Sequence, residues 1–102
     1  SLSYCMDKAV EKGYTANFQV VESYLRHVES GYNYRPEQVH IVDYFRFEGQ
    51  SDPDDNAILY IIETDDGKMG TIADAYGIYA NRLIGDFFVS VEDIQKKQTT
   101  KG

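Results

Sequence analysis

The chain has 102 residues, 42% of them hydrophobic and 26% charged, with a net charge of −7 and a pI near 4.6. That length supports one domain, residues 1–102, with a single core, and the acidic field argues against nucleic acid and anionic membrane surfaces as partners. A lone cysteine, Cys5, leaves no internal disulfide and no cysteine zinc site, and fits a reducing, cytoplasmic setting. Cys5 itself reads as a small buried apolar residue.

In chain order, Leu2, Met6, Ala9 and Val10 share a helical face, Ser1 or Ser3 can cap the start, and Gly13 supplies a left-handed stop. This predicts a helix over 3–12. Asn17 to Glu22 reads as a strand. Residues 23–30 fit either a helical turn through Tyr24, Leu25 and Val28 or an extension of the strand after a bulge. Gly31 to Arg35 is a turn, and Pro36 opens a short helical turn with Glu37 and Gln38. Val39 to Glu48 alternates as a strand, with Ile41, Phe45 and Phe47 on one face and Val42, Tyr44, Arg46 and Glu48 on the other. Ala57 to Glu63 is apolar on both faces and predicts a central strand. Asp65-Asp66-Gly67 marks a hairpin turn, with Lys68 to Tyr76 returning.

Beyond Gly77, where a bend is expected, Leu83 to Val89 reads as a further edge strand. Ser90 and Asp93 resemble a capping box, so Val91 to Lys97 predicts a short final helix. The tail from about residue 95 to 102 is polar and expected to fray. No apolar run reaches the length of a membrane span, and no signal-peptide pattern is present, although Ser1 in place of Met leaves room for a removed leader. The expected fold is α+β: a twisted antiparallel sheet, a meander of three strands plus one or two more, with N- and C-terminal helices packed on one face.

Asp52, Asp54, Asn56 and Glu63 occupy positions 1, 3, 5 and 12 of a calcium-loop template. Ala57 stands where that loop needs Gly, and Glu63, at the far end of a strand, would lie about 20 Å from Asp52. Asp52, Asp54 and Asp55 suit an Asp-Pro turn whose carboxylates accept from nearby backbone N–H groups. Ile61 to Thr71 shares paired acids and Gly-Thr with phosphoribosyl-pyrophosphate loops, but its loop is too short and its Asp66-Gly67 is a hairpin signal. Arg46, Asp74 and Tyr76 can meet across strands, depending on turn length. His27 and His40 have no Cys, Asp or Ser at a metal or triad spacing and read as surface or half-buried histidines. Ser51 has no base in reach. Nine tyrosines without tryptophan suit sheet packing or an interface.

The order Tyr44-Phe-Arg-Phe-Glu-Gly49, Ser51-Asp-Pro-Asp-Asp55, Ile58-Leu-Tyr60, Gly67-Lys68 and Asp74-Ala-Tyr-Gly-Ile-Tyr79 resembles a family of small uncharacterised bacterial proteins. The resemblance runs from the first helix to about Tyr79, and members often carry the label phosphoribosyl-pyrophosphate synthetase. Such synthetases are several times longer, with two lobes and histidine-bearing ATP sites absent here. The resemblance therefore implies a shared fold and no established activity.

The expected function is a non-catalytic accessory or binding domain acting on a protein or small ligand, with dimerisation through a tyrosine-rich sheet face as a further option. The alternative is a phosphoribosyl- or phosphate-ligand binder, or a small metal-assisted enzyme using the acidic loop. Arg46, Glu48, Asp52, Asp54, Asp55, Asp74 and Tyr76 form the candidate ligand surface. No catalytic residue, metal ligand or cofactor is assigned.

Overall fold

Helix α1 (Leu2–Glu11) begins where the sequence places it, with the Ser1 hydroxyl accepting the Tyr4 N–H at 3.3 Å. It ends at Gly13, whose φ of 98° lets the Gly13 N–H reach the Val10 carbonyl and the Tyr14 N–H the Ala9 carbonyl. That pair of bonds is a Schellman stop. The computed structural model describes residues 1–48, 56–75 and 81–99 of the chain. Expectations on Ser51, Asp52, Asp54, Asp55, Tyr76 and Gly77 lie outside the described residues.

Six strands follow: β1 (Ala16–Val21), β2 (Tyr24–His27), β3 (Asn33–Tyr34), β4 (Val39–Phe47), β5 (Ala57–Thr64) and β6 (Met69–Ala75). A 3-10 turn at Pro36–Gln38 precedes β4, and helix α2 (Arg82–Thr99) closes the described chain. The strands form one curled sheet in the order β3-β2-β1-β6-β5-β4. β4, β5 and β6 are the expected antiparallel meander, and β1, β2 and β3 are antiparallel neighbours. The two halves meet in parallel through Ala16 opposite Gly70 and Asn17 opposite Thr71. The sheet is therefore mixed. Gly70 permits the join: a Cβ there would strike the Ala16 carbonyl oxygen and lie 2.7 Å from the Phe18 ring.

Within the ambiguous stretch 23–30, Tyr24–His27 is strand β2, entered through a two-residue turn with Glu22 at a φ of 55°, and 28–30 are a turn. Burial on both faces of β5 has a consequence for the helices. Leu59 and Ile61 pack with Ala9, Leu2, Cys5 and Tyr14 of the α1 side. Tyr60 and Ile62 pack on the other side with Ile84, Phe87, Phe88 and Val91 of α2. The helices thus cover opposite faces of the sheet, not one, because a strand apolar on both faces needs a cover on each.

Two further expectations change. Leu83 to Val89 is no edge strand; α2 is one helix of 18 residues. Its buried stripe Ile84, Phe87, Phe88 and Val91 follows the i, i+3, i+4, i+7 helical spacing across the stretch assigned to two elements. The tail from 95 to 99 is its last turn rather than a frayed end. On α1 the inward residues are Leu2, Cys5 and Ala9, while Met6 and Val10 are exposed.

In β4 the ladder runs Ile41 opposite Ile62 and then Asp43 opposite Ile61, so Val42 is an extra, bulged residue. A bulge shifts the alternation by one. Ile41 joins the α2-side core, whereas Phe47 packs on the α1 side, so Ile41, Phe45 and Phe47 do not share a face.

Candidate functional site

The register answers the question posed by Arg46 and Asp74: both stand opposite Ile58, on the α2 side of the sheet. Arg46 lies over the Tyr44 ring at 5.9 Å, Tyr44 neighbours Tyr60 at 6.4 Å, and Tyr60 stacks on Phe88 at 4.1 Å. Burial pushes the Tyr60 phenol above its ordinary range, with the Glu92 and Asp74 carboxylates adding to the rise and Arg46 opposing it. Asp74 is committed to structure. Its carboxylate accepts the Asn81 backbone N–H at 2.9 and 3.2 Å, and the Asn81 side chain accepts the Leu83 N–H at 2.9 Å, fixing the start of α2 to the end of β6. Glu48 follows the end of β4 and is exposed. The remaining members of the expected surface, Asp52, Asp54, Asp55 and Tyr76, lie outside the described residues.

The paired acids at 65–66 belong to the β5–β6 hairpin. Asp66 accepts from the Tyr34 hydroxyl at 2.8 and 2.9 Å and from the Thr64 hydroxyl at 2.6 Å, while Gly67 has a φ of 90°. The Thr64 bond first, then the Tyr34 bond, hold the Asp66 carboxyl below its usual range. With both oxygens accepting from protein hydroxyls, this turn ties β3 to the hairpin.

Sequence spacing hid the partners of His27; the β2–β3 turn supplies two. The Ser30 backbone N–H donates to His27 Nδ1 at 3.3 Å, so Nδ1 is the acceptor nitrogen and the ring proton sits on Nε2, facing Glu29 at 3.2 Å. The Tyr32 N–H donates to Ser30 Oγ at 3.2 Å, which leaves the hydroxyl proton to point at Nδ1, 2.8 Å away. Asn17 donates to Glu29 at 2.8 Å, and that bond is the main reason the Glu29 carboxyl sits low. The polarity is that of a serine nucleophile with its base. Catalysis of acyl transfer also needs donors aimed at an oxyanion. Here the amides of Ser30, Gly31 and Tyr32 are all engaged inside the turn. The relay locks a turn.

One concave surface combines apolar walls with uncommitted charge. α1 packs mainly on β5 and β6. Between the helix and the bulged strand lies a cleft of about 230 Å³ whose walls include Tyr4, Cys5, Val42, Phe45 and Ile61. Tyr4 is 60% exposed, Val42 47% and Phe45 39%, so apolar groups from both walls face water. Lys8 and Lys12 stand on the helix side and Asp43 on the strand side. Lys8 lies 5.5 Å over the Tyr4 ring and 3.6 Å from Glu11. Asp43 accepts the Tyr44 N–H at 2.8 Å.

None of these residues was in the expected surface except through the tyrosine count. The helical half was legible, since Tyr4, Lys8 and Lys12 recur every four residues beside the inward Cys5–Ala9 stripe. The strand half depends on the bulge at Val42, which has no Gly or Pro to mark it. Among the described residues, no three His, Cys, Asp or Glu side chains are grouped to hold a metal ion. No described helix is long and apolar enough to cross a membrane. No protein-family model, curated protein or solved structure matches the chain. The chemistry of the cleft rests on its own residues.

Proposed function

We propose that this chain is a small non-catalytic binding domain whose ligand site is the cleft between α1 and β4. The observation that carries this reading is the incomplete cover: a ten-residue helix seals β5 and β6 but leaves Val42 and Phe45 of β4 open beside Tyr4. Clefts with apolar walls and a few polar groups at the rim are the usual form of small-ligand sites. The volume exceeds the ~150 Å³ in which a single benzene fits, so it suits one ring with a short polar tail.

Titration of isotopically labelled protein with a panel of single-ring compounds tests the assignment by amide chemical shifts. The expected perturbations cluster on Tyr4, Cys5, Val42 and Phe45, and Val42→Asp abolishes them. Shifts produced instead by phosphoribosyl compounds at Tyr44, Arg46 and Tyr60 would move the site to the other face and overturn the proposal.

A further inference from the structure

The turn from β2 to β3 closes on a buried imidazole whose two nitrogens have different partners. His27 is 7% exposed, and its Nδ1 accepts the Ser30 N–H at 3.3 Å and faces Ser30 Oγ at 2.8 Å. Nε2 carries the ring proton toward Glu29 Oε1 at 3.2 Å, while Glu29 Oε2 accepts the Asn17 amide at 2.8 Å. Glu29 is the one carboxylate within 4 Å of either ring nitrogen among the described residues. The Phe18 ring meets the imidazole edge-to-face from β1 at 5.7 Å, and Lys68 of the β5–β6 hairpin lines the same shallow recess as His27 and Glu29. None of these residues belongs to the cleft between α1 and β4.

Histidine is the side chain that ordinarily changes charge between pH 5 and 8. Once both ring nitrogens carry protons, neither can accept a hydrogen bond. Ser30 Oγ adapts to that change. It has a second lone pair beside the one used by the Tyr32 N–H at 3.2 Å, so it can accept from Nδ1–H while its own proton turns toward solvent, Ser30 being exposed. The Ser30 N–H has no such alternative, because it then faces another N–H. On the opposite side of the ring the change is favourable. The bond from Asn17 holds the Glu29 carboxyl below its ordinary range, so Glu29 is a carboxylate wherever the imidazole takes up a proton. We propose that this turn is a proton-operated latch: it is closed on Nδ1 when His27 is neutral and opens at the Ser30 amide when His27 is protonated, with the Asn17–Glu29–His27 chain kept in both states. The Gly31 N–H bonds to the His27 carbonyl at 2.8 Å and uses no ring atom, so the chain stays anchored beside the released amide. Two residues beyond that amide is Tyr32, whose exposed ring packs on Tyr34 at 4.7 Å, so the opening acts on an aromatic group at the surface.

Nitrogen-15 NMR of the intact labelled protein between pH 8 and pH 5 reads both ends of the latch. At pH 8 the His27 ring proton is expected on Nε2. As His27 titrates, the protection of the Ser30 amide against solvent exchange, corrected for the intrinsic rate, is expected to fall about tenfold, the worth of one backbone bond, while Gly31 keeps its protection. His40, the other imidazole and an exposed one, is the internal reference: the Ser30 change is expected to follow the His27 ring and not the His40 ring. Glu29→Gln keeps an acceptor for Asn17 and removes the charge, so it is expected to move the transition to lower pH. A proton on Nδ1 at pH 8, a His27 ring still neutral at pH 5, or Ser30 protection that is constant or follows His40 would each overturn the latch. An unchanged midpoint in Glu29→Gln would overturn the charge pair as its driving force.

Discussion

Replacing Gly70 by Ala tests the join on which the whole sheet depends. The added methyl carbon would collide with the Ala16 carbonyl oxygen and sit 2.7 and 2.9 Å from two Phe18 ring atoms. A side chain tip can rotate away, but the Ala16 carbonyl is backbone in the first parallel pair of β1 with β6. Relief therefore requires β1 to separate from β6 at that pair, with Phe18 leaving its place in the α2-side core. Overpacking a core by a methyl costs about 1–3 kcal/mol, and a backbone clash places this change at the upper end, about 3 kcal/mol. For a domain of this size that lowers Tm by more than ~10 °C. Gly85→Ala is the internal control. It lies in α2 with nothing within 4 Å of the new Cβ, so helix propensity alone predicts a gain of about 0.5–1 kcal/mol. Urea denaturation followed by far-ultraviolet circular dichroism measures both. A Gly70→Ala midpoint equal to wild type would show that β1 is not held against β6 and would refute the mixed-sheet topology.

Tyr34→Phe removes the hydroxyl that donates to Asp66, so the denaturation midpoint at pH 7 should fall. Because the folded Asp66 carboxyl titrates below its unfolded value, its contribution is complete above about pH 4 and is lost as pH falls through the lower folded value. The gap between wild type and variant should therefore close in acid; a gap constant down to pH 2 would rule out the link. Gln95→Ala withdraws the amide that accepts the Ile41 N–H at 2.6 Å and donates to the Ile41 carbonyl at 3.4 Å. Two bonds at about 0.5–1.5 kcal/mol each predict a loss of roughly 1–3 kcal/mol and faster amide exchange at Ile41, measured by NMR. Unchanged exchange there would show that α2 does not protect this edge.

What the sequence made legible followed from short-range signals. Ser1, Gly13, Pro36 and Gly67 act through their own backbone geometry, so the ends of α1, the 3-10 turn and the β5–β6 hairpin could be placed without knowing the fold. The apolar run from Ala57 also announces a strand buried twice, and such a strand needs a cover on each face rather than both helices on one. The misreadings involve information held elsewhere in the chain. Phe87-Phe88-Val89 has strand-forming side chains, yet Ile84, Phe88 and Val91 meet the sheet only on a helix, and the core overrides local preference. The parallel join of β1 to β6 links residues more than fifty positions apart and leaves a single trace, a glycine at 70 inside the expected returning strand. Arg46 and Asp74 share a face across Ile58, while the Asp74 carboxylate also accepts a backbone N–H at Asn81, which no side-chain pattern reveals.

The bulge at Val42 connects fold and site. Without it, strict alternation would put Ile41, Phe45 and Phe47 on one face and Val42 and Tyr44 on the other. The extra residue lets Ile41 fill the α2 side while Phe47 fills the α1 side. Bulges leave edge groups unpaired, and at this one Gln95 reaches from α2 to take both polar groups of Ile41 while Asp43 takes the Tyr44 N–H. The same insertion brings Val42 and Asp43 to the cleft beside α1. Asp43 thus serves the strand through the oxygen that accepts the Tyr44 N–H.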